Sequence, residues 1–218
     1  MQLISRSTDH DEIDFEFLGS NGAPYSLQTN VFAYGQGVRE QRIKLWFDPT
    51  KHFHSYKILW NQYQIVYVWI LSLCGMQLCW HHVIKMYWFF RFYVDGIPIR
   101  VFKNNTKIGV NYPSQPKQVE GSLWNAEGWA SNGTKTDRSQ APFKANFQEF
   151  NIHGCTLQTV DNKQCYSPKF WWNNKKYQSL DAHDQRAYEN VGEKYMTYDY
   201  CSDRSRSPKN SPECQSNK

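Results

Sequence analysis

The sequence predicts an all-β fold, a β-sandwich with a C-terminal extension, on three observations. Short runs rich in β-branched and aromatic residues recur along the chain, and Gly, Pro or Asn usually separates them. Several of the runs alternate polar with apolar residues, as antiparallel strands with one covered face do. The clearest is HDEIDFEFLG, residues 10–19, where Glu12, Asp14 and Glu16 alternate with Ile13, Phe15 and Phe17. An extended backbone sends the three acids to one face and the hydrophobes to the other.

Further strands are expected at residues 26–32, 42–47, 55–60, 97–102 and 143–152. Residues 179–195 then change period, and Leu180, Ala187, Tyr188, Val191 and Tyr195 share a stripe when wound as a helix. Residues 203–218 form a Ser/Pro/Arg-rich tail, and the chain has no internal repeat.

The 218 residues suit one domain, or a small domain with an extension. Aromatics reach 17% against 21% charged residues, a composition that serves a carbohydrate binder as well as a core. The net charge of +5 is modest, and the basic residues gather mainly after position 160 instead of forming a stripe with interleaved aromatics, so nucleic acid is not an expected partner.

Of six cysteines, Cys155 with Cys165 and Cys201 with Cys214 lie at short separations in polar, turn-rich sequence, as local disulfides of an exported protein do. Metal binding is the rival explanation, but neither pair has CxxC spacing or a nearby histidine pair of ligand type. Two sequons, at Asn104 and Asn132, agree with export. No basic start and apolar run of a secretion signal follow Met1, so either a cytosolic protein or a chain incomplete at its front is expected.

Two readings of the acid row stand at this point. One is a strand with a solvated acidic face, although like charges two residues apart repel and no Lys or Thr dilutes them here. The other is a glycosidase pair, in which one carboxylate attacks the anomeric carbon and the other protonates the leaving oxygen. A retaining mechanism requires those carboxyls about 5 to 5.5 Å apart. The backbones of Glu12 and Glu16 stand roughly 13 Å apart at about 3.3 Å per residue, so the pair requires a strand bent around a concave sheet.

The acid row is similar to the Glu-x-Asp-x-Glu catalytic strand of the plant xyloglucan endotransglucosylase/hydrolases of glycoside hydrolase family sixteen. The resemblance continues through LQTNVF (27–32), REQRIKLWFDPT (39–50), FHSYKILWNQYQIV (53–66), IPIRVFKNN (97–105), GVNYPSQP (109–116), SLWNAEGWA (122–130) and CSDRSRSPKNSPEC (201–214). It implies a concanavalin-like jelly roll with a short helix in its C-terminal extension. It divides the chain into a first sandwich part (1–66), an atypical insertion (67–91), a second sandwich part (92–168) and the extension (169–218).

The same resemblance implies that Glu12 is the nucleophile, Glu16 the general acid/base and Asp14 their orienting partner. Gln28, Thr29 and Asn30 are implied to touch the donor sugars, with Arg39 and Glu40 nearby. Gly128, Trp129 and Gly133 fall in the acceptor cleft, and Arg206 matches a sugar-contacting arginine. A flat indole suits a pyranose face while its N–H bonds a hydroxyl. The family has an Asp where this chain has Val38, and the sequon that many members carry after the catalytic strand is missing from FLGSNGAPY.

The implied activity is cleavage of the β-1,4-glucan backbone of xyloglucan and transfer to another xyloglucan chain or to water, during cell-wall construction. Donor and acceptor chains are the only expected partners of a monomer that needs no metal or organic cofactor. The implied location is outside the cell, in the wall and apoplast. Rival readings are an inactive wall-glucan binder or nonfunctional fragment and a mixed-linkage glucan hydrolase, the last disfavoured by the cysteine-bonded extension.

Two departures stand out. The catalytic strand begins nine residues after Met1, where family members have a signal and further strands, so exposed sheet edges and an N-terminal truncation are expected. The resemblance implies that residues 67–91 are an insertion, since the family runs directly from a segment like QIV into one like FYVDGIPIRVF. Their Trp, Cys, Phe, Tyr, Leu and Val have thymine-rich codons, which predicts an intron read in frame. Cys74, Cys79, His81 and His82 within it match no zinc spacing, and its apolar run falls short of the ~20 residues of a membrane span.

Overall fold

A computed structural model describes residues 1–19, 23–62, 91–130, 135–149, 151–155, 163–206 and 211–216. The insertion up to residue 90, with Cys74, Cys79, His81 and His82, lies outside these, as do Gly133 and the sequon at Asn132.

Two antiparallel sheets face each other. The first contains β1 (Gln2–Ile4), β2 (Glu12–Leu18), β3 (Ser26–Phe32), β4 (Gln41–Lys44), β8 (Gln118–Glu120) and β9 (Met196–Asp199), in the order β8-β1-β2-β3-β4-β9. The second contains β5 (Tyr56–Ile58), β6 (Arg91–Val94) and β7 (Ile97–Val101) in sequence order. The all-β sandwich expected from alternation is therefore present. The acid-bearing strand β2 is interior, because β1 and β8 continue the sheet beyond it. Among the described residues β2 presents no open edge of the kind expected above.

The buried side of β2 explains the packing. Phe15 is fully buried and meets Phe92 edge-on at 5.2 Å between ring centroids, and Tyr56 at 5.9 Å. Ile13, Leu27, Val31 and Ile43 from the large sheet join Ile58, Val94 and Ile99 from the small one in a single core. Every apolar residue of this layer occupies an alternate strand position, so the opposite face of the large sheet carries the three acids with Gln28, Asn30 and Arg42, alongside Phe32. Asp95 and Gly96 join β6 to β7 with φ of 49° and 80°, as the Asp-Gly hairpin turn requires.

Helix α1 (Ala182–Tyr195) starts three residues later than the stripe implied. The Asp181 side chain accepts from the amides of His183 and Asp184 and so caps the helix, leaving Leu180 ahead of it. Val191 is buried, Ala187, Tyr188 and Tyr195 are half-buried, and the helix packs on β7.

One expected strand is absent. Among the described residues of 143–152 no strand forms, and Phe143 and Phe147 are exposed. Alternation alone does not make a strand where no neighbour offers a ladder of hydrogen bonds. The two cysteine pairings, Cys155–Cys165 and Cys201–Cys214, are both formed.

Candidate active site

The register of the large sheet assembles a polar face around β2. Asp14 stands opposite Asn30 of β3 and Gln2 of β1, while Glu16 stands opposite Gln28, which in turn faces Arg42 of β4. Arg42 is paired with Tyr198 of β9. A continuous polar row, Glu16–Gln28–Arg42–Tyr198, therefore crosses four strands. Gln28 Nε2 donates to Glu16 Oε1 at 3.2 Å, and Arg42 donates from Nη2 to Gln28 Oε1 at 2.8 Å.

The three acids sit in different surroundings. Asp14 is 5% exposed, and its Oδ1 accepts the Asn30 amide at 2.7 Å. Burial first, and then the neighbouring charges of Glu16 and Glu12, push its carboxyl well above the usual range, against the pull of the Asn30 amide. Burial also raises Glu12, but His10 opposes the rise, with Nε2 3.3 Å from Glu12 Oε2. Burial likewise raises Glu16; the Gln28 hydrogen bond opposes this and the negative charge of Glu40 adds to it. A cation-forming ring thus attends one glutamate and an extra carboxylate the other.

His10 is itself held in place. Its ring stacks on Phe32 at 5.3 Å, and Phe32 is the cross-strand partner of Glu12. Behind Phe32 lies Gly37, where any Cβ would stand 2.4 Å from the phenyl ring. Asp11, fully buried beside Glu12, plays a different part. It accepts the amides of Tyr34 and Gln115 at 2.9 and 2.6 Å, and also that of Ser114. It pairs with Lys117 at 3.1 Å, whose ammonium lies 4.2 Å from the centre of the Trp60 ring. Burial pushes Lys117 down to about 8. This acid ties residues 34 and 114–117 to the start of β2, where no reacting group can reach it.

The expected sugar contacts separate into distinct groups. Gln28 and Asn30 share the face of the acids. Thr29 does not: it is 2% exposed on the core side and accepts from Arg100, because side chains on a strand alternate. Arg39 is not available either. Its Nε bonds buried Glu213 at 2.9 Å, its Nη1 bonds the carbonyls of Val31 and Gln36, and the guanidinium lies over Phe102. Glu40 and Arg206 do meet, at the Tyr198 end of the row. Arg206 donates from both terminal nitrogens to Glu40, at 3.1 and 3.2 Å, and from Nη1 to Tyr198 Oη.

Gly128 and Trp129 lie in a turn after β8, where the Trp129 indole is 42% exposed and packs 5.8 Å from the Trp124 ring. Their described contacts include none of the three acids. The segment nevertheless leaves from one edge strand, β8, and the Arg206 segment follows the other, β9. Between those edges lie five strand spacings of about 4.8 Å, a polar floor roughly 24 Å wide with the acids along it.

Arg42, Tyr198, His10 and Asp11 escaped the sequence reading. Continuing the period-two alternation of β2 and β3 into QRIK would have placed Arg42 on the acid face. No sequence signal joins Tyr198 to it, because their pairing spans 156 positions.

Comparison with known proteins agrees with this arrangement. Residues 1–69 and 85–140 match the glycosyl hydrolases family 16, and residues 166–214 match the xyloglucan endo-transglycosylase (XET) C-terminus. The chain is 49% identical to xyloglucan endotransglucosylase/hydrolase protein 2 of Arabidopsis thaliana, over 99% of this chain and 67% of that protein. It is 47% identical to xyloglucan endotransglucosylase protein 34 of Populus tremula x Populus tremuloides, over 98% of this chain and 65% of the relative. It therefore spans about two thirds of the length of the relatives it matches. With the sandwich, the acid row and both segment matches in agreement, the chain belongs to glycosyl hydrolase family 16, in the branch that carries the xyloglucan endo-transglycosylase C-terminal segment.

Proposed function

We propose that this chain is a retaining transglycosylase that cleaves the β-1,4-glucan backbone of xyloglucan and passes the glycosyl unit to a second xyloglucan chain or to water. The observation that carries the reading is the asymmetry of the acid row: His10 beside Glu12, Glu40 beside Glu16, and buried Asp14 between them. His10 favours an ionised Glu12, which suits a nucleophile, and Glu40 favours a protonated Glu16, which suits an acid.

In the first step a Glu12 oxygen attacks the anomeric carbon. The glycosidic bond breaks, and the Glu16 proton moves to the leaving oxygen. The resulting ester is then attacked by an acceptor hydroxyl, whose proton returns to Glu16, and Glu12 leaves as a carboxylate. Asp14, whose carboxyl burial pushes well above the usual range, stands between the two glutamates. Gln28 and Arg42 brace Glu16 from β3 and β4. An acceptor sugar outcompetes water when aromatic and polar groups hold it in line, a task for which Trp129 and Arg206 stand at opposite sheet edges. Xyloglucan is the substrate named in the relatives. On this reading the chain works outside the cell, in the plant cell wall.

The test is incubation with xyloglucan and a labelled xyloglucan oligosaccharide. Label entering polymer, and lost in Glu12→Gln, supports the reading. Folded protein that binds the polymer but transfers no label identifies a wall-glucan binder instead.

A further inference from the structure

Arg100 of β7 is 1% exposed between the two sheets, and none of the described ion pairs includes it. Its acceptors are neutral. Nη1 donates to both the carbonyl and the Oγ1 of Thr29 at 2.8 Å, and Nη2 donates to the carbonyl of Arg39. Its guanidinium lies over the Phe92 ring at 5.6 Å. A guanidinium without a carboxylate partner is costly to bury, so a compensating charge must act on it from further away.

The place it grips explains where that charge lies. Thr29 sits between Gln28 and Asn30 on β3, and those neighbours bond Glu16 and Asp14 on the opposite face of the sheet. Burial opposes the charge on Arg100, and the carboxyl groups that offset this are Asp14 of β2 and Asp199 at the end of β9. Arg39, also cationic, already answers to Glu213.

We propose that Arg100 is a positioning residue for the acid row. From beneath the sheet it clamps Thr29 and the Arg39 carbonyl, which fixes the strand that presents Gln28 to Glu16 and the Asn30 amide to Asp14. It also sets a buried positive charge beneath Asp14. The assignment rests on the acid row being the catalytic centre, but its test does not require turnover.

That test follows the carboxyl carbons of Asp14, Glu12 and Glu16 by NMR through a pH titration of the full chain, with thermal melts as a check on folding. Arg100→Met removes the charge and is expected to raise the Asp14 midpoint by about half a unit or more. Arg100→Lys keeps the charge but cannot fork, so it leaves the midpoints in place while hydrogen exchange at the Asn30 amide accelerates. A folded Arg100→Met protein with unmoved midpoints overturns the proposal, as does Arg100→Lys moving them equally. If Arg100→Met does not fold, Thr29→Val decides. Loss of its hydroxyl acceptor is expected to accelerate exchange at Asn30, and unchanged exchange overturns the clamp. An inactive wild type with shifted midpoints in Arg100→Met defeats the catalytic reading alone, whereas unmoved midpoints in an active enzyme defeat this proposal alone.

Discussion

The amide of Asn30 donates to Oδ1 of Asp14 at 2.7 Å, from the adjacent strand and on the face that carries all three acids. Asp14 is thus held by β3 while burial, with the charges of Glu16 and Glu12, raises its carboxyl well above the usual range. In the unfolded chain its carboxyl returns to about 3.8. The native state binds that proton more tightly, so the stability the group contributes is complete below the unfolded value. It is lost as pH rises toward the higher folded value. Asp14→Asn keeps the acceptor oxygen and removes the titration. Its Tm is expected to exceed wild type at pH 7 and to match it below about pH 4. Loss of the orienting acid should lower kcat on the order of 100-fold. Melts across pH, with kcat measured beside them, check both effects.

Gly37 is the back wall of the His10 site. A Cβ there would stand 2.4 Å from the Phe32 ring on which His10 stacks. Gly37→Ala is expected to destabilise by about 1–3 kcal/mol through overpacking. His10 lowers the Glu12 carboxyl, so its displacement raises that group. The acidic limb of the kcat/KM profile should then move to higher pH. An unmoved limb in a folded variant would show that the stack does not govern Glu12.

Val38 holds a φ of 63° with its side chain 52% exposed. A β-branched residue is poorly suited to that left-handed conformation, and the exposed side chain has little packing to lose. Val38→Asn is expected to stabilise by about 1 kcal/mol, read as a higher Tm with unchanged oligosaccharide affinity.

The Cys201–Cys214 bridge closes a separation of 13 residues that contains Arg206 and Glu213. Those side chains reach Glu40 and Arg39 respectively, one beside the acid row and one beneath it. Replacing both cysteines by Ser is expected to cost about 3 kcal/mol. If Arg206 holds substrate as proposed, KM should rise more than kcat falls. Equal kinetics in a less stable protein would assign the bridge to stability alone.

Much of this arrangement was legible in the sequence because a period of two has a direct geometric meaning. Glu12, Asp14 and Glu16 share a face for that reason, and 26–32 is a strand over its full predicted length. The same rule, applied one residue further, separates Thr29 from Gln28 and Asn30, so grouping the three as sugar contacts overlooked the alternation that identified the strand. Arg39, Arg100 and Asp11 were not legible. Their partners are Glu213, Thr29 and Lys117, at separations of 174, 71 and 106 positions, and only the folded sheets bring them together. The strand expected at 143–152 failed for a related reason: its pattern suits a pleated surface, but among the described residues no strand forms there.

The central claim is that Glu12 forms a covalent bond to sugar. Its most direct measurement is mass spectrometry of the protein quenched during turnover of xyloglucan oligosaccharide, followed by peptide mapping of residues 10–19. The account predicts a glycosyl mass increment on Glu12, accumulating in a Glu16→Gln protein and absent from Glu12→Gln. An increment on Glu16 instead, or product release with inverted anomeric configuration and no adduct on either acid, would contradict it.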